Sequence, residues 1–278
     1  MDKKVILITG ASSGIGYETA KKLSSEGHIV YGTSRNLDRV GKIKEFGANP
    51  LTLDVTLDES CKKCVENIIS KEGRIDVLIN NAGYGSYGPI EMVELDKAKD
   101  ELEVNVYGIV RMTKLVIPYM RNQKSGRIIN ISSAAGRVTT YLGGWYHASK
   151  YALEALSDSL RMELKQFGIK VIIIEPGGVK SNWGIITANH LMESSKNSPY
   201  EDISNKVAKV YKEIYGGKSK LLTKPEVVAK KISKAVNRKN PKTRYLFGLG
   251  ARPMIFMHWL LPNKWFDNIM KKMYEIAK

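Results

Sequence analysis

The stretch Val5–Gly16 reads VILITGASSGIG, and it decides how the chain folds. Its first four residues are apolar on both faces, which is typical of a strand buried inside a parallel sheet. Glycines at positions 10, 14 and 16 then lead into a helical pattern over Tyr17–Ser25. Glycines between a strand and a helix let backbone N–H groups approach a phosphate at the positive end of the helix. With Ser12 and Ser13 between the glycines, the stretch predicts a pyrophosphate site rather than a plain turn.

The remaining chain alternates strand and helix patterns. The predicted strands are Lys4–Thr9, His28–Ser34, Pro50–Leu53, Ile75–Ile79, Gly126–Ile131, Lys170–Glu175 and Thr243–Phe247. Such alternation predicts an α/β fold with a doubly wound, Rossmann-type parallel sheet. We predict one dinucleotide-binding and catalytic domain over residues 1–250, with a helical substrate lid inserted at about 181–222. A helical extension over 251–278 is expected to pack on the same domain.

Local patterns place the helices between these strands. A continuous helical pattern runs from Leu95 to Gln123, and another from Tyr146 to Phe167. The capping boxes Thr56-x-x-Glu59 and Thr223-x-x-Glu226 predict that two further helices begin at their threonines. Residues 181–200 show no strand pattern.

Polar residues follow several predicted strands. Ligands of doubly wound sheets bind beyond the carboxyl ends of the strands. We therefore expect one edge of the sheet to gather the following residues: Ser12, Arg35, Asp54, Asn81, Ser133 and Gly177.

The end of the second strand indicates which dinucleotide binds. The general dinucleotide-binding fingerprint has an acidic residue at the end of this strand, and that residue binds the ribose 2′-hydroxyl. This chain has Ser34 and Arg35 instead. A guanidinium pairs with a 2′-phosphate in a fork geometry, so NADP(H) is predicted in preference to NAD(H). A plain surface role for Arg35 stays open, because Asp38 follows closely.

Tyr146 and Lys150 lie four residues apart at the start of a helical pattern. Side chains at this spacing share one face of a helix. An ammonium near a phenol stabilises the phenolate and should lower the tyrosine pKa from about 10 toward neutrality. Such a tyrosine can exchange a proton with a substrate. On its own, the spacing also fits an ordinary solvated face.

Composition limits the partners. The 278 residues carry 44 Lys and Arg against 28 Asp and Glu, a net charge of +16, and residues 196–278 alone hold 19 basic against 6 acidic side chains. Anionic small molecules or an anionic membrane surface are the expected partners, and no nucleic acid is expected because no motif for it is present. No apolar run reaches the ~18 residues of a membrane span, and the amino-terminal apolar run is too short for a secretory segment. We expect a cytoplasmic protein.

Cysteine and histidine give no firm sign of a metal. Cys61 and Cys64 form a lone C-x-x-C pair, for which helix packing is a simpler interpretation than redox or metal chemistry. His28, His190 and His258 are isolated in the sequence, so no metal site is expected.

Taken together, the motifs resemble the short-chain dehydrogenase/reductase family in its compact single-domain branch. The matches run in the expected order over residues 4–180. They are Thr9-Gly10-x-x-x-Gly14-Ile15-Gly16, Asn80-Asn81-Ala82-Gly83, Asn105, Ser133, Tyr146-x-x-x-Lys150 and Pro176-Gly177.

The resemblance implies hydride transfer between a nicotinamide and a carbonyl or alcohol carbon. It implies a catalytic tetrad of Asn105, Ser133, Tyr146 and Lys150. Tyr146 would be the acid or base, Ser133 would bind the same oxygen, Lys150 would hold the ribose, and Asn105 would anchor a water. The cofactor residues that it implies are Gly10, Ser12, Ser13, Gly14, Ile15, Gly16, Arg35, Asp54, Val55, Asn81, Ala82, Gly83, Tyr146, Lys150, Pro176, Gly177, Val179 and Ser181. Ser181 stands where the family usually has a threonine.

Substrate choice in this family lies in the loop after the fifth strand and in the segment after Pro176. The predicted substrate residues are Ser133, Tyr141, Trp145, Tyr146, Trp183 and Ile186. Large apolar side chains there favour a bulky lipophilic substrate, although each of them could also pack the core. The chain resembles hydroxysteroid dehydrogenases, so a hydroxysteroid such as a bile acid is the first expectation. An acyl-dihydroxyacetone phosphate or retinal-type reductase is the enzymatic alternative, and an NADP-binding sensor or scaffold is the non-enzymatic one.

The resemblance also implies an assembly. Family members pair through two long helices, here about residues 100–123 and 146–167, so a homodimer or homotetramer is expected. The aromatic and lysine-rich extension suggests peripheral contact with a membrane.

Overall fold

A computed structural model describes residues 2–181, 183–216, 222–248 and 250–276 of the chain. Seven parallel strands form one sheet, with the bounds β1 Val5–Ile8, β2 Ile29–Ser34, β3 Asn49–Thr52, β4 Val77–Asn80, β5 Gly126–Ile131, β6 Ile169–Pro176 and β7 Arg244–Phe247. They lie side by side in the order β3-β2-β1-β4-β5-β6-β7. This is the single-domain, Rossmann-type sheet that the sequence predicts, with strand ends shifted by one or two residues.

Helices cover both faces of the sheet. Their bounds are α1 Gly14–Ser25, α2 Leu37–Gly41, α3 Asp58–Glu72, α4 Leu95–Leu102, α5 Gly108–Asn122, α6 Gly144–Leu164, α7 Trp183–Ser194, α8 Glu201–Tyr215, α9 Pro225–Asn237, α10 Ala251–Leu260 and α11 Asn263–Met273. Alternate residues of a strand point to opposite faces. Accordingly, Ile6 and Ile8 of β1 pack in a cluster with α1 and α9, whereas Val5 and Leu7 pack with α3, α5 and α6. Both faces of β1 are buried, as its apolar run predicts.

A third apolar cluster joins α7, α8 and α11. Its buried members include Leu191 of α7, Tyr211 of α8 and Phe266 of α11, together with Tyr87 from the chain after β4. The segment predicted as a lid and the segment predicted as an extension therefore share one core. Residues 181–200, which show no strand pattern, contain α7.

Both predicted capping boxes are wrong. Thr56 donates its hydroxyl to Asp54 Oδ1 at 2.7 Å, and α3 begins two residues later with Leu57 as its cap. Thr223 bonds through its backbone N–H to the Gly178 carbonyl at 2.9 Å, and α9 begins at Pro225. Hydroxyl residues compete between helix caps and neighbouring turns. The Thr56 hydroxyl follows this rule, whereas Thr223 is held by backbone pairing with the chain after β6.

The helical pattern from Leu95 to Gln123 is not one regular helix. A π-helical turn over Glu103–Tyr107 separates α4 from α5, and Asn105 lies inside it, fully buried. π turns inserted in α-helices are frequent at functional sites. The interruption of the helix therefore supports Asn105 as a candidate site residue.

The two cysteines belong to the core. Cys61 and Cys64 are buried on α3 as free thiols, and burial raises their pKa values to about 11 and about 12. Neutral, buried thiols behave as small apolar side chains. The packing interpretation of the C-x-x-C pair fits this environment. Separately, no helix within the described ranges is both long and apolar enough to cross a membrane.

Candidate active site

A cavity of about 710 Å³ lies at the carboxyl edge of the sheet. The loops after β1 through β6 all contribute to its walls, as the strand-end rule predicts. Of the predicted cofactor residues, the cavity is lined by Gly10, Ser12, Ser13, Gly14, Ile15, Arg35, Asp54, Val55, Asn81, Ala82, Gly83, Tyr146, Lys150, Pro176, Gly177, Val179 and Ser181. Gly16 lies just behind this wall.

In the glycine loop, neighbouring backbone segments approach one another too closely to leave room for side chains. A Cβ on Gly16 would stand 2.3 Å from the Gly10 carbonyl oxygen, and one on Gly10 would stand 2.9 Å from Ala82 Cα. Gly10 and Gly14 have positive φ angles of 69° and 56°, which favour glycine. A Cβ added at Gly14 would meet no described atom within 4 Å, so the backbone there is open to a ligand.

The amino end of α1 faces the same space. Ser13 is its cap residue, and within the described chain its side chain makes no capping hydrogen bond. The first turn carries no acidic residue. The free N–H groups and the helix dipole together suit an anion, and the open backbone at Gly14 allows a pyrophosphate to approach.

Asn81 braces the glycine loop. Its Nδ2 donates to the carbonyl oxygens of Thr9 at 3.0 Å and of Gly10 at 2.8 Å. In return, Thr9 Oγ1 accepts from the backbone N–H groups of Asn81 and Ala82, each at 3.0 Å. The amide nitrogen therefore holds the loops after β1 and β4 together beside the cavity.

The part of the cavity beside the ends of β2 and β3 is polar. Asp54 Oδ1 accepts from the backbone N–H of Thr56 at 3.0 Å, which fixes the carboxylate beside Val55 at the cavity wall. Arg35 is exposed at the cavity edge, and none of the ion pairs found between described residues includes it. Its guanidinium is thus available to an anion.

Lys150 lies behind Tyr146. Its Nζ donates to the Ile131 carbonyl oxygen at 3.0 Å and stands 5.9 Å from the centroid of the Tyr146 ring. Burial lowers the pKa of Lys150 to about 8, although the carboxylates of Glu101 and Glu154 act in the opposite direction. The ammonium is therefore held in a poorly hydrated position beside the phenol.

The pKa of Tyr146 differs from the sequence expectation. Desolvation raises it above the usual value, a hydrogen bond with Ser133 opposes that shift, and the Glu101 carboxylate adds to it. The expectation that Lys150 lowers this pKa toward neutrality is wrong for the protein alone. The burial of the phenol outweighs an ammonium that is itself desolvated. Tyr146 is therefore a protonated phenol that can donate.

Ser133 and Asn105 complete the predicted tetrad. Ser133 Oγ accepts from the Ala135 N–H at 3.1 Å and donates to the Pro176 carbonyl at 3.4 Å. Asn105 Nδ2 donates to the Tyr84 carbonyl at 2.7 Å and to Ser149 Oγ at 3.0 Å. Asn105 thus ties the loop after β4 to α6.

Glu101 is a buried carboxylate that the sequence analysis missed. Its Oε2 accepts from the Ser86 backbone N–H at 3.1 Å and from the Ser86 hydroxyl, while Oε1 finds no hydrogen-bond partner in the described structure. Burial raises its pKa, and the Lys150 ammonium opposes that rise. Its position four residues before Asn105, on the same helix face, was the available signal.

Aromatic rings form the wall opposite the glycine loop. Trp183 lies 6.0 Å from Tyr146 and 5.5 Å from Tyr87, measured between ring centroids, and its Nε1 donates to the Gly85 carbonyl at 3.2 Å. Tyr211 and Tyr215 of α8 close the wall at 6.1 and 5.9 Å from Trp183. The result is a largely apolar aromatic surface beside the Tyr146 phenol.

Not every predicted substrate residue reaches the cavity. Ser133, Tyr146 and Trp183 line it, but Tyr141, Trp145 and Ile186 do not. Tyr141 packs against Tyr274 at 5.6 Å, and Ile186 is 65% exposed on the outer side of α7. Sequence proximity to Tyr146 or Trp183 was a poor guide, because helical rotation turns neighbouring side chains away from each other.

His147 fixes the start of α6. Its Nε2 accepts from the Thr140 N–H at 3.0 Å, so the proton is on Nδ1, which donates to the Ala135 carbonyl at 2.9 Å. Burial lowers its pKa. The neutral imidazole thus connects the loop after β5 to the helix that carries Tyr146 and Lys150.

Comparison with known proteins places this geometry in a family. A family model described as short chain dehydrogenase matches residues 4–188. The 3-ketodihydrosphingosine reductase of Bacteroides thetaiotaomicron is 39% identical over 275 residues, covering 98% of this chain and 96% of that protein. The NADPH-dependent 3-dehydrocapnine reductase of Ornithobacterium rhinotracheale is 34% identical over 279 residues, covering 96% and 95%.

A solved structure agrees with these matches. The crystal structure of a short-chain dehydrogenase from Streptomyces avermitilis superposes with a TM-score of 0.76 at 30% identity, covering 99% of this chain and 96% of that one. The chain therefore belongs to the short-chain dehydrogenase/reductase family of oxidoreductases, whose fold binds a nicotinamide cofactor.

Proposed function

We propose that the protein reduces the ketone of a long-chain amphiphile to a secondary alcohol with NADPH. One observation carries the proposal: Ser133, Tyr146 and Lys150 meet in one cavity, between a glycine loop suited to a pyrophosphate and an aromatic wall. Tyr146 is a protonated phenol at neutral pH, which is the form that ketone reduction needs as its proton donor.

The residues present fit NADP(H). Backbone N–H groups at the start of α1 would hold the pyrophosphate, where a Cβ on Gly10 or Gly16 would obstruct the loop. Asp54 and Val55 would border the adenine, and Arg35 would pair with the 2′-phosphate. The name of the Ornithobacterium relative specifies NADPH, which supports the same preference.

The bound nicotinamide would supply the hydride. Tyr146 would donate its proton to the carbonyl oxygen, and Ser133 would hydrogen-bond the same oxygen as negative charge develops there. Lys150 would place a positive charge behind the phenolate left on Tyr146. Glu101 would keep Lys150 charged, since its carboxylate raises the lysine pKa. Asn105 would hold the loop after β4 in position against α6.

The aromatic wall and the relatives together indicate the substrate class. Tyr87, Trp183 and Tyr211 form a surface that suits a flat or extended apolar group. The two relatives' names specify keto or dehydro compounds with the group at carbon 3. We infer a ketone close to a polar, amine-bearing head, with an alkyl chain along the wall. The predicted hydroxysteroid specificity finds no support among these relatives.

We further propose a homodimer formed through the outer faces of α5 and α6. Tyr107, in the π turn next to α5, and Tyr151 and Met162 of α6 are exposed side chains, with Tyr107 and Met162 more than half exposed. Exposed apolar residues on long helices favour helix-to-helix association. Light scattering that shows a monomer would contradict this assembly.

A turnover screen with NADPH tests the function. Its substrates are 3-ketodihydrosphingosine, acyl-dihydroxyacetone phosphate, retinal, a ketosteroid and a ketone of a bile acid. We expect the highest kcat/KM with the sphingoid ketone. Tyr146→Phe should lower kcat by at least about a thousandfold, because the acid is removed. NADPH affinity should change little.

Tyr151→Phe is the matched control, since it makes the same change on an exposed face of α6. Equal losses in both variants would contradict the assignment of Tyr146 as the acid. NADPH binding without turnover of any ketone would instead favour a sensor or scaffold. A clear preference for the steroid or bile-acid ketone would restore the hydroxysteroid hypothesis.

A further inference from the structure

Helix α11 is apolar on two sides. Phe266, Met270 and Tyr274 are at most 4% exposed and belong to the cluster beneath the aromatic wall. Trp265 and Ile269, one position earlier in each turn, are exposed at 64% and 37%. The buried row explains how the helix packs on the domain. It does not explain a second apolar row that faces water.

Helix α10 repeats this arrangement. Met254 faces the cavity and Ala251 is buried, whereas Phe256, Trp259 and Leu260 are 56%, 77% and 57% exposed. The rings of Phe256 and Trp259 lie 6.1 Å apart, so they form a continuous aromatic surface. A helix that is apolar all round normally lies within protein or lipid, and here one side has neither.

Basic side chains accompany these exposed rings. Over residues 251–276 the chain has four basic residues (Arg252, Lys264, Lys271 and Lys272) and two acidic ones (Asp267 and Glu275), a balance of 4 − 2 = +2. Glu275 pairs with Lys209 of α8 at 3.2 Å, which neutralises one of the two acids. Tryptophan rings with lysines beside them match the headgroup region of a bilayer, where rings enter the apolar boundary and ammonium groups stay at anionic phosphates.

The exposed surface is continuous with the active-site cavity. Gly250, Ala251 and Met254 line the cavity wall, so one side of α10 borders the catalytic space while the other side carries Trp259. An amphiphile that leaves a bilayer beside α10 would meet the cavity within the width of one helix, about 10 Å. A long alkyl chain could then reach Tyr146 without crossing bulk water.

We propose that the outer faces of α10 and α11 form a docking surface for an anionic phospholipid membrane. The contact is peripheral, because α10 has ten residues and a length of about 15 Å, half of the ~30 Å hydrocarbon core. The inference that the protein binds a membrane depends only on the exposed residues. The delivery of substrate from the bilayer to the cavity rests on the proposed function.

Vesicle flotation of the full-length protein tests the surface without cofactor or substrate. The probes are vesicles of phosphatidylcholine alone and of phosphatidylcholine with phosphatidylglycerol. We expect the protein to float with the anionic vesicles, less so with the neutral ones, and less as salt rises. The double variant Trp259→Ser, Trp265→Ser should reduce the bound fraction at least tenfold. Lys271→Ala, Lys272→Ala should remove most of the preference for anionic lipid.

The control variant is Leu57→Ser, Leu95→Ser, which removes two apolar side chains that are 58% and 64% exposed elsewhere on the surface. It should bind vesicles like the unmodified protein. Failure of the unmodified protein to float, or equal flotation of the tryptophan variant, would overturn the proposal. A change in molecular mass of the tryptophan variant without vesicles would also overturn it, since a second copy would then cover the surface.

Membrane binding and catalysis are separable in this design. The tryptophan variant should reduce a short, water-soluble ketone at the unmodified rate, because neither tryptophan reaches the cavity. With the long-chain ketone embedded in vesicles its rate should fall with its bound fraction. Flotation that persists in a protein inactive on every ketone would refute the proposed function and leave the docking surface intact.

Discussion

At Lys150, burial and two carboxylates act in opposite directions on one ammonium group. Burial lowers its pKa to about 8, and Glu101 and Glu154 limit that fall. A lysine in water, with a pKa near 10.4, would be a weaker source of protons at neutral pH. The environment of Lys150 therefore suits a group that stabilises a phenolate and then helps to return a proton to it.

Arg35 determines the cofactor if its guanidinium pairs with a 2′-phosphate. Arg35→Ala should lower kcat/KM for NADPH by about ten- to a hundredfold, since a charged hydrogen bond is worth about 1.5–3 kcal/mol. The value for NADH should change less than threefold. Steady-state kinetics with both cofactors measure the effect. Arg39→Ala, a neighbouring exposed arginine on α2, is the control, and equal losses with both cofactors would contradict the role of Arg35.

His147 makes stability depend on pH. Its native pKa is lowered by burial, so below pH 6.5 the unfolded chain binds a proton that the native protein does not. Stability should fall as the pH drops from 6.5 toward the native pKa, by up to about 1.4 kcal/mol per pH unit for this residue. Urea unfolding at pH 7.5 and 5.5 measures the loss, which should be smaller in His147→Gln. His190→Gln, on an exposed site, should keep the full loss.

At the scale of elements, the loop after β4 and the start of α6 position the Tyr146 phenol. A Cβ on Gly85 would stand 2.6 Å from Cδ2 of Tyr146, and Trp183 bonds to the Gly85 carbonyl from the other side. The Tyr146 ring therefore packs directly on backbone. A loop that can carry no side chain at this point fixes where the hydroxyl group points.

Gly85→Ala should displace the Tyr146 ring and lower kcat by about a hundredfold, as expected when a reactive group moves by about 1 Å. Stability should fall by about 1–3 kcal/mol, the usual cost of overpacking. Gly41→Ala is the control, because no described atom lies within 4 Å of its added Cβ. Unchanged kcat in Gly85→Ala would show that the loop does not position the ring.

Features that depend on neighbouring residues could be predicted from the sequence, whereas features that depend on contacts between distant residues could not. Gly10, Gly14 and Gly16 were predictable, since a strand, a tight loop and a helix start involve only neighbouring residues. Tyr87 and Tyr211 were missed as site residues, because they come from distant elements that meet only through tertiary packing. The Thr223 capping box failed for a related reason, because the Thr223 backbone pairs with the distant Gly178, whereas the Thr56 hydroxyl was taken by a local turn with Asp54.

At the scale of the whole molecule, the candidate site lies at the carboxyl edge of the sheet. Six strand ends supply the cofactor side of the cavity, while α7, α8 and α10 supply the opposite wall. The sheet is built from two buried faces that do not depend on these later helices. The wall formed by α7, α8 and α10 can therefore vary while the packing that supports the strand ends stays constant.

The extension and the body of the protein should unfold together. Phe266 is 4% exposed in the cluster with Tyr87 and Tyr211, so Phe266→Ala should cost about 3–5 kcal/mol. Trp265→Ala, one residue away and 64% exposed, should cost less than about 0.5 kcal/mol. Differential scanning calorimetry should show one transition in both variants, lowered by about 6–20 °C for Phe266→Ala. A separate early transition, with the main one unmoved, would show that residues 251–278 form an independent unit.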